Sequence, residues 1–140
     1  YKAMQAAGMT LQDHGTVLLS VCRDDQEEAL PLVRRFYQMG FNIEATHGTA
    51  AFLRAHGIRT RVKAKLSEGS DEIINLLRGG FVAYVINTRD INSTEQETDG
   101  YIIRRAAVEN NVTMFASLDT VKVLLDVLEE ITIGVSTIDA

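Results

Sequence analysis

Residues 41–57 read FNIEATHGTAAFLRAHG, and this stretch contains the unit from which the fold is built. Its opening residues, FNIEA, form a short apolar run of the length expected for a strand. A turn with two threonines follows, and apolar residues then recur at helical spacing until Gly57. Glycine commonly follows the last residue of a helix, because its backbone adopts the left-handed conformation without strain. The stretch therefore predicts a strand over 41–45, then a turn and a helix over 46–57.

The same unit recurs along the chain. Further strands, recognised as runs of apolar and β-branched residues, are predicted at 16–22, 59–63, 81–88 and 112–116. Helical patterns follow them, over roughly 24–40, 70–80, 101–110 and 118–130. Strict alternation of strands and helices with short connections predicts a parallel sheet covered on both faces. The predicted fold class is α/β: a three-layer, doubly wound, five-stranded parallel sheet, with the polar strand 59–63 near an edge.

Three segments do not fit this repeated unit. The first fourteen residues have weak periodicity and, with a start at Tyr1, are interpreted as a leader from the preceding part of a longer chain. Residues 89–100, RDINSTEQETDG, predict a polar loop. Pro31 predicts a kink or a late start in the first helix, because its ring displaces the carbonyl one turn back. The expected organisation is a leader over 1–14, a domain over 15–130 and a tail over 131–140.

The composition limits the classes of protein to consider. The chain has 140 residues, 46% hydrophobic and 24% charged, as expected for one compact domain with a core. A formal net charge of −5 argues against nucleic acid and anionic membranes as general partners. No apolar run has the length of a membrane span and no secretory signal opens the sequence, so a cytoplasmic location is expected. The single cysteine, Cys22, predicts a buried, unreactive thiol, and no pair of histidines or cysteines has the spacing of metal ligands.

Polar residues cluster at the ends of the predicted strands. In an open parallel sheet, ligands bind beside the carboxyl ends of the strands, where the connecting loops converge. The residues in those positions are Ser20 with the turn RDDQ, the turn THGT, Lys63 with Lys65, and Asn87 with Thr88 and Arg89. Hydroxyls, cations and an amide are groups that a phosphate and a nucleoside need as partners. The sequence therefore predicts that these residues meet at one ligand-binding rim.

The turn THGT has two interpretations. As an anion site, a helix beginning near Thr49 would present unpaired N–H groups and the positive end of its dipole. Gly48 would let a ligand approach the backbone closely, and Lys65 would add a full charge. As an ordinary helix start, Thr46 would be an N-cap and Gly48 a turn residue. His47 is either a general base or a solvated turn histidine.

Four blocks of the sequence resemble the C-terminal domain of the carbamoyl-phosphate synthase large subunit: GTVLLSV, MGFNIEATHGTAAFLRAHGI, VAYVINT and DGYIIRRAAVENNV. That domain has the methylglyoxal-synthase-like fold, so the resemblance implies a five-stranded parallel sheet between helices. It also implies a regulatory function without bond-making chemistry. In that family the domain binds UMP, IMP or, in enteric enzymes, ornithine, and biases distant catalytic sites.

The resemblance also implies which residues contact the effector. It places the phosphate on Thr46, Thr49 and Lys65, around Gly48, and the nucleoside near Asn87, Thr88, Asp99 and Ile103, with Ser20 at the matching position after the first strand. Gln26 replaces a lysine of some relatives, and Arg89 replaces a second threonine, so the choice between purine and pyrimidine stays open. The stretch TMFASLD lacks the Tyr–Asp–Thr run that contacts ornithine, so we expect no ornithine activation.

Partners outside this sequence are implied as well. The parent chain would be a glutamine-hydrolysing ligase that uses ATP with Mg or Mn and makes carbamoyl phosphate for pyrimidine and arginine biosynthesis. Its partner would be a small glutaminase subunit. The domain itself would be non-catalytic, hold no cofactor or metal, and contact the remaining domains of its own chain; a homo-oligomer formed through it stays open.

Two other hypotheses remain. The first is a lyase of the methylglyoxal synthase type that acts on dihydroxyacetone phosphate, since it shares the phosphate turn. That enzyme needs a glycine-rich segment with a catalytic aspartate after the fourth strand, where this chain has RDINSTEQETDG and only Asp90 as a substitute. The second is a structural dimerisation module with an empty pocket.

Overall fold

The structure, a computed structural model, describes residues 3–6, 9–65 and 69–139. Its strands are β1 (Ala3–Ala6), β2 (Met9–Gln12), β3 (Thr16–Ser20), β4 (Asn42–Thr46), β5 (Arg61–Lys63), β6 (Val82–Asn87) and β7 (Thr113–Phe115). Its α-helices are α1 (Gln26–Gln38), α2 (His47–Ala55), α3 (Glu72–Arg78), α4 (Thr94–Glu109) and α5 (Leu118–Asp139). A single 3-10 turn, Arg23–Asp25, leads from β3 into α1.

The main sheet has five parallel strands in the order β5-β4-β3-β6-β7. This confirms the predicted α/β class and strand number, and it places the polar strand β5 at an edge, as predicted. The strand order reverses between β3 and its two neighbours, since β4 lies on one side and β6 on the other. In such sheets this reversal opens a crevice at the carboxyl ends of the strands.

Helices cover both faces of the sheet. On one face α1, α2 and α5 pack against apolar side chains that include Val17, Leu19, Ile43 and Ile86. On the other face α3 and α4 pack against Leu18, Val82 and Val85. Every residue of β6 is buried, because this strand lies inside the sheet with helices above and below.

The first fourteen residues contain an antiparallel hairpin, β1 with β2, where the sequence predicted no regular element. The Tyr84 hydroxyl, at the middle of β6, accepts from the Gln12 backbone nitrogen and donates to its oxygen, both at 2.7 Å. Leu11 is buried in the core. The hairpin was not predicted because the segment has weak periodicity and is held in place by hydrogen bonds to Tyr84, which is distant in the sequence. The division into leader, domain and tail stays a prediction, and residues 1, 2, 7, 8 and 140 lie outside the described part.

Three other sequence expectations were wrong in detail. Residues 94–100 are not loop but the first two turns of α4, whose N-cap Ser93 accepts from the backbone nitrogen of Gln96 at 3.1 Å. The first helix does not start late, since α1 begins at Gln26 and runs through Pro31, which is exposed. The last helix does not end at 130 but continues to Asp139.

Candidate functional site

A cavity of about 350 Å³ opens at the carboxyl ends of β3, β4 and β6. Most residues predicted for the rim line it: Ser20, Gln26, Thr46, Gly48, Thr49, Lys65, Asn87, Thr88 and Asp99. The structure therefore brings together residues that are up to 79 positions apart in the sequence (Ser20 to Asp99). It adds three polar residues that sequence reasoning missed, Cys22, Glu95 and Gln96, and it confirms Arg23 of the RDDQ turn at the rim.

The N-terminus of α2 forms one wall. The helix begins at His47, earlier than the predicted start near Thr49, and Gly48 lines the cavity within its first turn. Thr46 occupies the N-cap position in an extended conformation, but its side chain makes no capping hydrogen bond. Its hydroxyl donates instead to the Ser20 hydroxyl at 3.3 Å. The first backbone N–H groups of a helix have no partner within it and carry partial positive charge, so this wall favours an anion.

Thr49 lines the cavity and also makes hydrogen bonds that hold two segments of the chain together. Its hydroxyl accepts from the backbone nitrogen of Val21 at 3.0 Å and donates to the backbone oxygen of the same residue at 3.2 Å. The side chain is buried and ties α2 to the segment after β3. Because the hydroxyl hydrogen is used in this way, the group that Thr49 offers to an anion is its backbone N–H.

Two cations line the cavity, and neither has an ion-pair partner in the described part of the chain. Lys65 follows β5, and Arg23 lies in the 3-10 turn after β3. Lys63, expected at the same rim, lies instead in a separate cleft, where its Nζ pairs with Oε1 of Glu44 at 3.4 Å. An unpaired cation beside a helix N-terminus attracts phosphate. Arg23 was within the turn noted as a rim segment, but the two aspartates that follow it favoured a helix-start interpretation.

Asn87, the last residue of β6, also lines the cavity. It is 8% exposed, and its amide has no hydrogen-bond partner among the residues that the structure describes. A β-carbon added at Gly100 would lie 2.9 Å from Asn87 Nδ2, so this glycine lets α4 pass close to the amide. No buried side-chain nitrogen or oxygen of the described residues lacks a partner, so the Asn87 amide is open to the cavity, where it can both donate and accept hydrogen bonds.

Carboxylates line the other side of the cavity. Glu95 and Asp99 are both on α4, one turn apart, and both line the wall that faces the cavity. Sequence reasoning expected few acids here, because it assigned residues 89–100 to a loop. The signal that would have corrected it is the pattern Ser93-Thr-Glu-Gln96, which is typical of a helix start.

Some predicted residues do not reach the cavity. Ile103 is 3% exposed and belongs to the core between the sheet and α3 with α4. Arg89 lies in an adjoining cavity with Tyr101 and Arg104, and its guanidinium is 3.8 Å from the Glu97 carboxylate. Asp90, the proposed substitute for a lyase aspartate, is exposed and accepts from the backbone nitrogen of Asn92.

Cys22 is half-buried and lines the cavity, so the prediction of a buried thiol was wrong. Its Sγ donates to Oδ2 of Asp25 at 3.0 Å. Partial burial, and then this hydrogen bond, raise the pKa of the Cys22 thiol above its ordinary value. The thiol is therefore largely neutral near pH 7, which agrees with the predicted lack of reactivity.

The family model for the MGS-like domain matches residues 28–116. The match covers β4, α2, β6 and α4 at the cavity but not β3 or the turn after it, and it spans more than half of the chain. The chain therefore belongs to the MGS-like domain family. The family is the one whose fold the sequence resemblance implied. In the described ranges no helix is long and apolar enough to cross a membrane.

Proposed function

We propose that this chain is an allosteric effector domain of a carbamoyl-phosphate synthase large chain and that its cavity binds a nucleoside monophosphate of the UMP or IMP class. The observation that carries the proposal is the Asn87 amide, which has no hydrogen-bond partner among the described residues and opens into a cavity with two cations that lack ion pairs. The cations and the α2 N-terminus suit a phosphate. Asn87 and Asp99 suit the hydroxyl and carbonyl groups of a nucleoside.

The proposal extends to the parent enzyme. That enzyme would be a cytoplasmic ligase using ATP with Mg or Mn and a small glutaminase subunit, in pyrimidine and arginine biosynthesis. The domain would take no part in bond-making and would hold no cofactor. Ligand binding would bias contacts with the remaining domains of the same chain, and ornithine would have no effect.

Calorimetry on the 140-residue chain tests the effector site, with UMP and IMP compared against uridine and inosine. The nucleotides are expected to bind and the nucleosides to bind far more weakly, because the phosphate supplies the charged contacts. A nucleotide at about 100 times its Kd adds roughly 2.7 kcal/mol to the free energy of unfolding, which is visible in a thermal melt. If neither nucleotide binds or raises the Tm at millimolar concentration, the proposed effector class is wrong.

A second candidate is the lyase that converts dihydroxyacetone phosphate to methylglyoxal and inorganic phosphate. The observation in its favour is that Glu95 and Asp99 place carboxylates in the same cavity as the phosphate-binding wall. A carboxylate next to a bound triose phosphate is the group needed to remove a proton beside the carbonyl. Methylglyoxal formation by the chain, lost in Asp99→Asn or Glu95→Gln, would favour this candidate over the regulatory one.

A further inference from the structure

Arg23 belongs to the RDDQ turn that the sequence placed at the rim, but neither the sequence patterns nor the resemblance gave this arginine a role of its own. It belongs to the short turn between β3 and α1, is exposed, and lines the same cavity as Lys65 and Gly48. The next two residues, Asp24 and Asp25, are acidic and belong to the same turn as Arg23. Such neighbours commonly neutralise an arginine, so their actual contacts decide what Arg23 is available for.

Those contacts leave Arg23 unneutralised. Asp25 accepts a hydrogen bond from the thiol of Cys22, and neither aspartate forms an ion pair with Arg23 in the described part of the chain. Gln26, the first residue of α1, also lines the cavity. Its amide nitrogen donates to the backbone oxygen of Val21 at 3.5 Å. Arg23 is therefore the charged group that this turn presents to the cavity.

Both signs of charge line the cavity, and they follow different strands. Lys65, the N-terminus of α2 and Arg23 follow the neighbouring strands β5, β4 and β3, while Glu95 and Asp99 are on α4, which follows β6 on the other side of β3. A ligand that complements both sets of charges carries one anionic group and a separate set of hydrogen-bond donors, such as hydroxyls. A chain of two or three phosphates would bring negative charge towards the carboxylates, which costs binding energy.

We propose that Arg23 is a phosphate-binding residue, acting with Lys65, and that Glu95 with Asp99 restricts the ligand to a single phosphate group. The proposal rests on the proposed function, and it identifies residues that set the charge of the ligand. The planar guanidinium of arginine has paired N–H donors that match two phosphate oxygens. Arg23 therefore offers directed hydrogen bonds to a phosphate in addition to its charge.

Calorimetry with UMP tests the role of Arg23. Arg23→Gln is expected to weaken UMP binding about 10- to 100-fold, as for the loss of one charge-assisted contact, and Arg23→Lys to retain part of the affinity. The dependence of Kd on salt concentration should fall in Arg23→Gln, since one screened charge pair is gone. The matched control is Arg78→Gln on α3, an exposed arginine outside the cavity, which should leave Kd unchanged.

A second set of ligands tests the negative wall. The wild-type chain is expected to bind UMP more tightly than UDP and UTP, and Glu95→Gln with Asp99→Asn should reduce this difference.

A thermal-shift experiment with inorganic phosphate separates the two proposals, because phosphate probes Arg23 without a nucleoside. If phosphate stabilises the chain through Arg23 while no nucleotide binds more tightly than phosphate, the nucleotide proposal fails and the phosphate-binding role of Arg23 stands. Unchanged UMP and phosphate binding in Arg23→Gln overturns the role of Arg23, and equal binding of UMP and UTP overturns the role of the carboxylates.

Discussion

Lys63 and Lys65 are two residues apart at the carboxyl end of β5, yet their electrostatic surroundings differ. Lys63 pairs with Glu44 in a cleft beside β4 and β5. Lys65 lines the cavity at the ends of the parallel strands, and no carboxylate in the described part of the chain pairs with it. One cation is neutralised by the protein itself, while the other is the cation for which we propose an anionic ligand.

The reason for the difference lies in β4. Glu44 points to the face of the sheet where its side chain is 9% exposed, and a buried carboxylate is costly unless a counterion accompanies it. Lys63 lies directly beside the strand, in register with Thr46, and reaches that carboxylate. Lys65 lies beyond the last paired residue of β5, so it faces the cavity and not the cleft. The cleft thus holds a structural ion pair, whereas the cavity holds a lysine without one in the described part of the chain.

Exchanging each lysine for alanine tests this contrast most strongly. Lys65→Ala is expected to weaken UMP binding about 10- to 100-fold with little change in stability, because a charged contact is lost from a solvated site. Lys63→Ala is expected to lower the free energy of unfolding by about 1–3 kcal/mol, because the Glu44 carboxylate loses its ion-pair partner, and to leave UMP binding unchanged. Calorimetry and urea unfolding measure the two effects. Equal loss of UMP affinity in both variants would show that the cleft and the cavity are not separate.

The two threonines of the α2 turn extend the comparison from cations to hydroxyls. Thr49→Val removes a hydroxyl that both accepts from and donates to the Val21 backbone, so the Val21 nitrogen loses its partner and the Val21 oxygen keeps only the 3.5 Å contact with Gln26. We expect a loss of about 1–3 kcal/mol in stability. Thr46→Val removes a single, longer contact with Ser20, and we expect a loss of about 0.5–1.5 kcal/mol.

Urea unfolding should therefore rank Thr49→Val as the more destabilised variant. UMP affinity should rank them the other way, because the Thr46 hydroxyl bonds only to another hydroxyl of the cavity and can turn to a ligand. A Thr46→Val variant that is both less stable than Thr49→Val and unchanged in UMP affinity would contradict the division of roles.

The sheet and most of the cavity were predictable from the sequence because they depend on local patterns. Apolar runs gave the five parallel strands, and the rule that ligands bind at their carboxyl ends brought Ser20, Thr46, Lys65 and Asn87 to one site before the structure was considered. Arg89 was misplaced, since sequence position alone does not show that its guanidinium lies near Glu97 on the far side of Asn87.

Other features required tertiary information. The hairpin β1–β2 has little periodicity of its own and is held by the buried hydroxyl of Tyr84, 72 residues away. Glu95 lines the cavity because α4 begins at Thr94. The sequence analysis assigned the first two turns of this helix to a loop because their composition is polar. Polar helix starts and polar loops have the same composition, so a capping pattern is the feature that separates them.

Gly100 provides a smaller test, directed at the unused amide of the cavity. The Cβ of Gly100→Ala would lie 2.9 Å from Nδ2 of Asn87, closer than side-chain atoms normally approach, so the amide must turn. We expect UMP affinity to fall about 2- to 12-fold, the effect of one lost hydrogen bond, while the chain stays folded. The matched control is Thr98→Ala, exposed on the same helix, which should leave the affinity unchanged. Unaltered UMP binding in Gly100→Ala would show that the position of the Asn87 amide does not matter for the ligand.

The Cys22 thiol gives the smallest expected effect, and it reports on the cavity without changing its charge. Partial burial and the hydrogen bond to Asp25 raise the pKa of the Cys22 thiol, so the folded chain holds this proton more tightly than the unfolded chain. The resulting contribution to stability is complete at neutral pH and is lost as the pH rises through the raised pKa. Iodoacetamide, which reacts with the thiolate, should therefore modify Cys22 more slowly than free cysteine at pH 8.

Asp25→Asn should increase the alkylation rate of Cys22 by a few-fold at pH 8, because the carboxylate no longer disfavours the thiolate. UMP or inorganic phosphate should slow the reaction, because Cys22 lines the same cavity as Lys65 and Arg23. Uridine, which lacks the phosphate, serves as the control and should protect less. Equal protection of Cys22 by uridine and UMP would mean that Arg23 and Lys65 do not hold the phosphate. The contrast between Lys63 and Lys65 would then have no consequence for ligand binding.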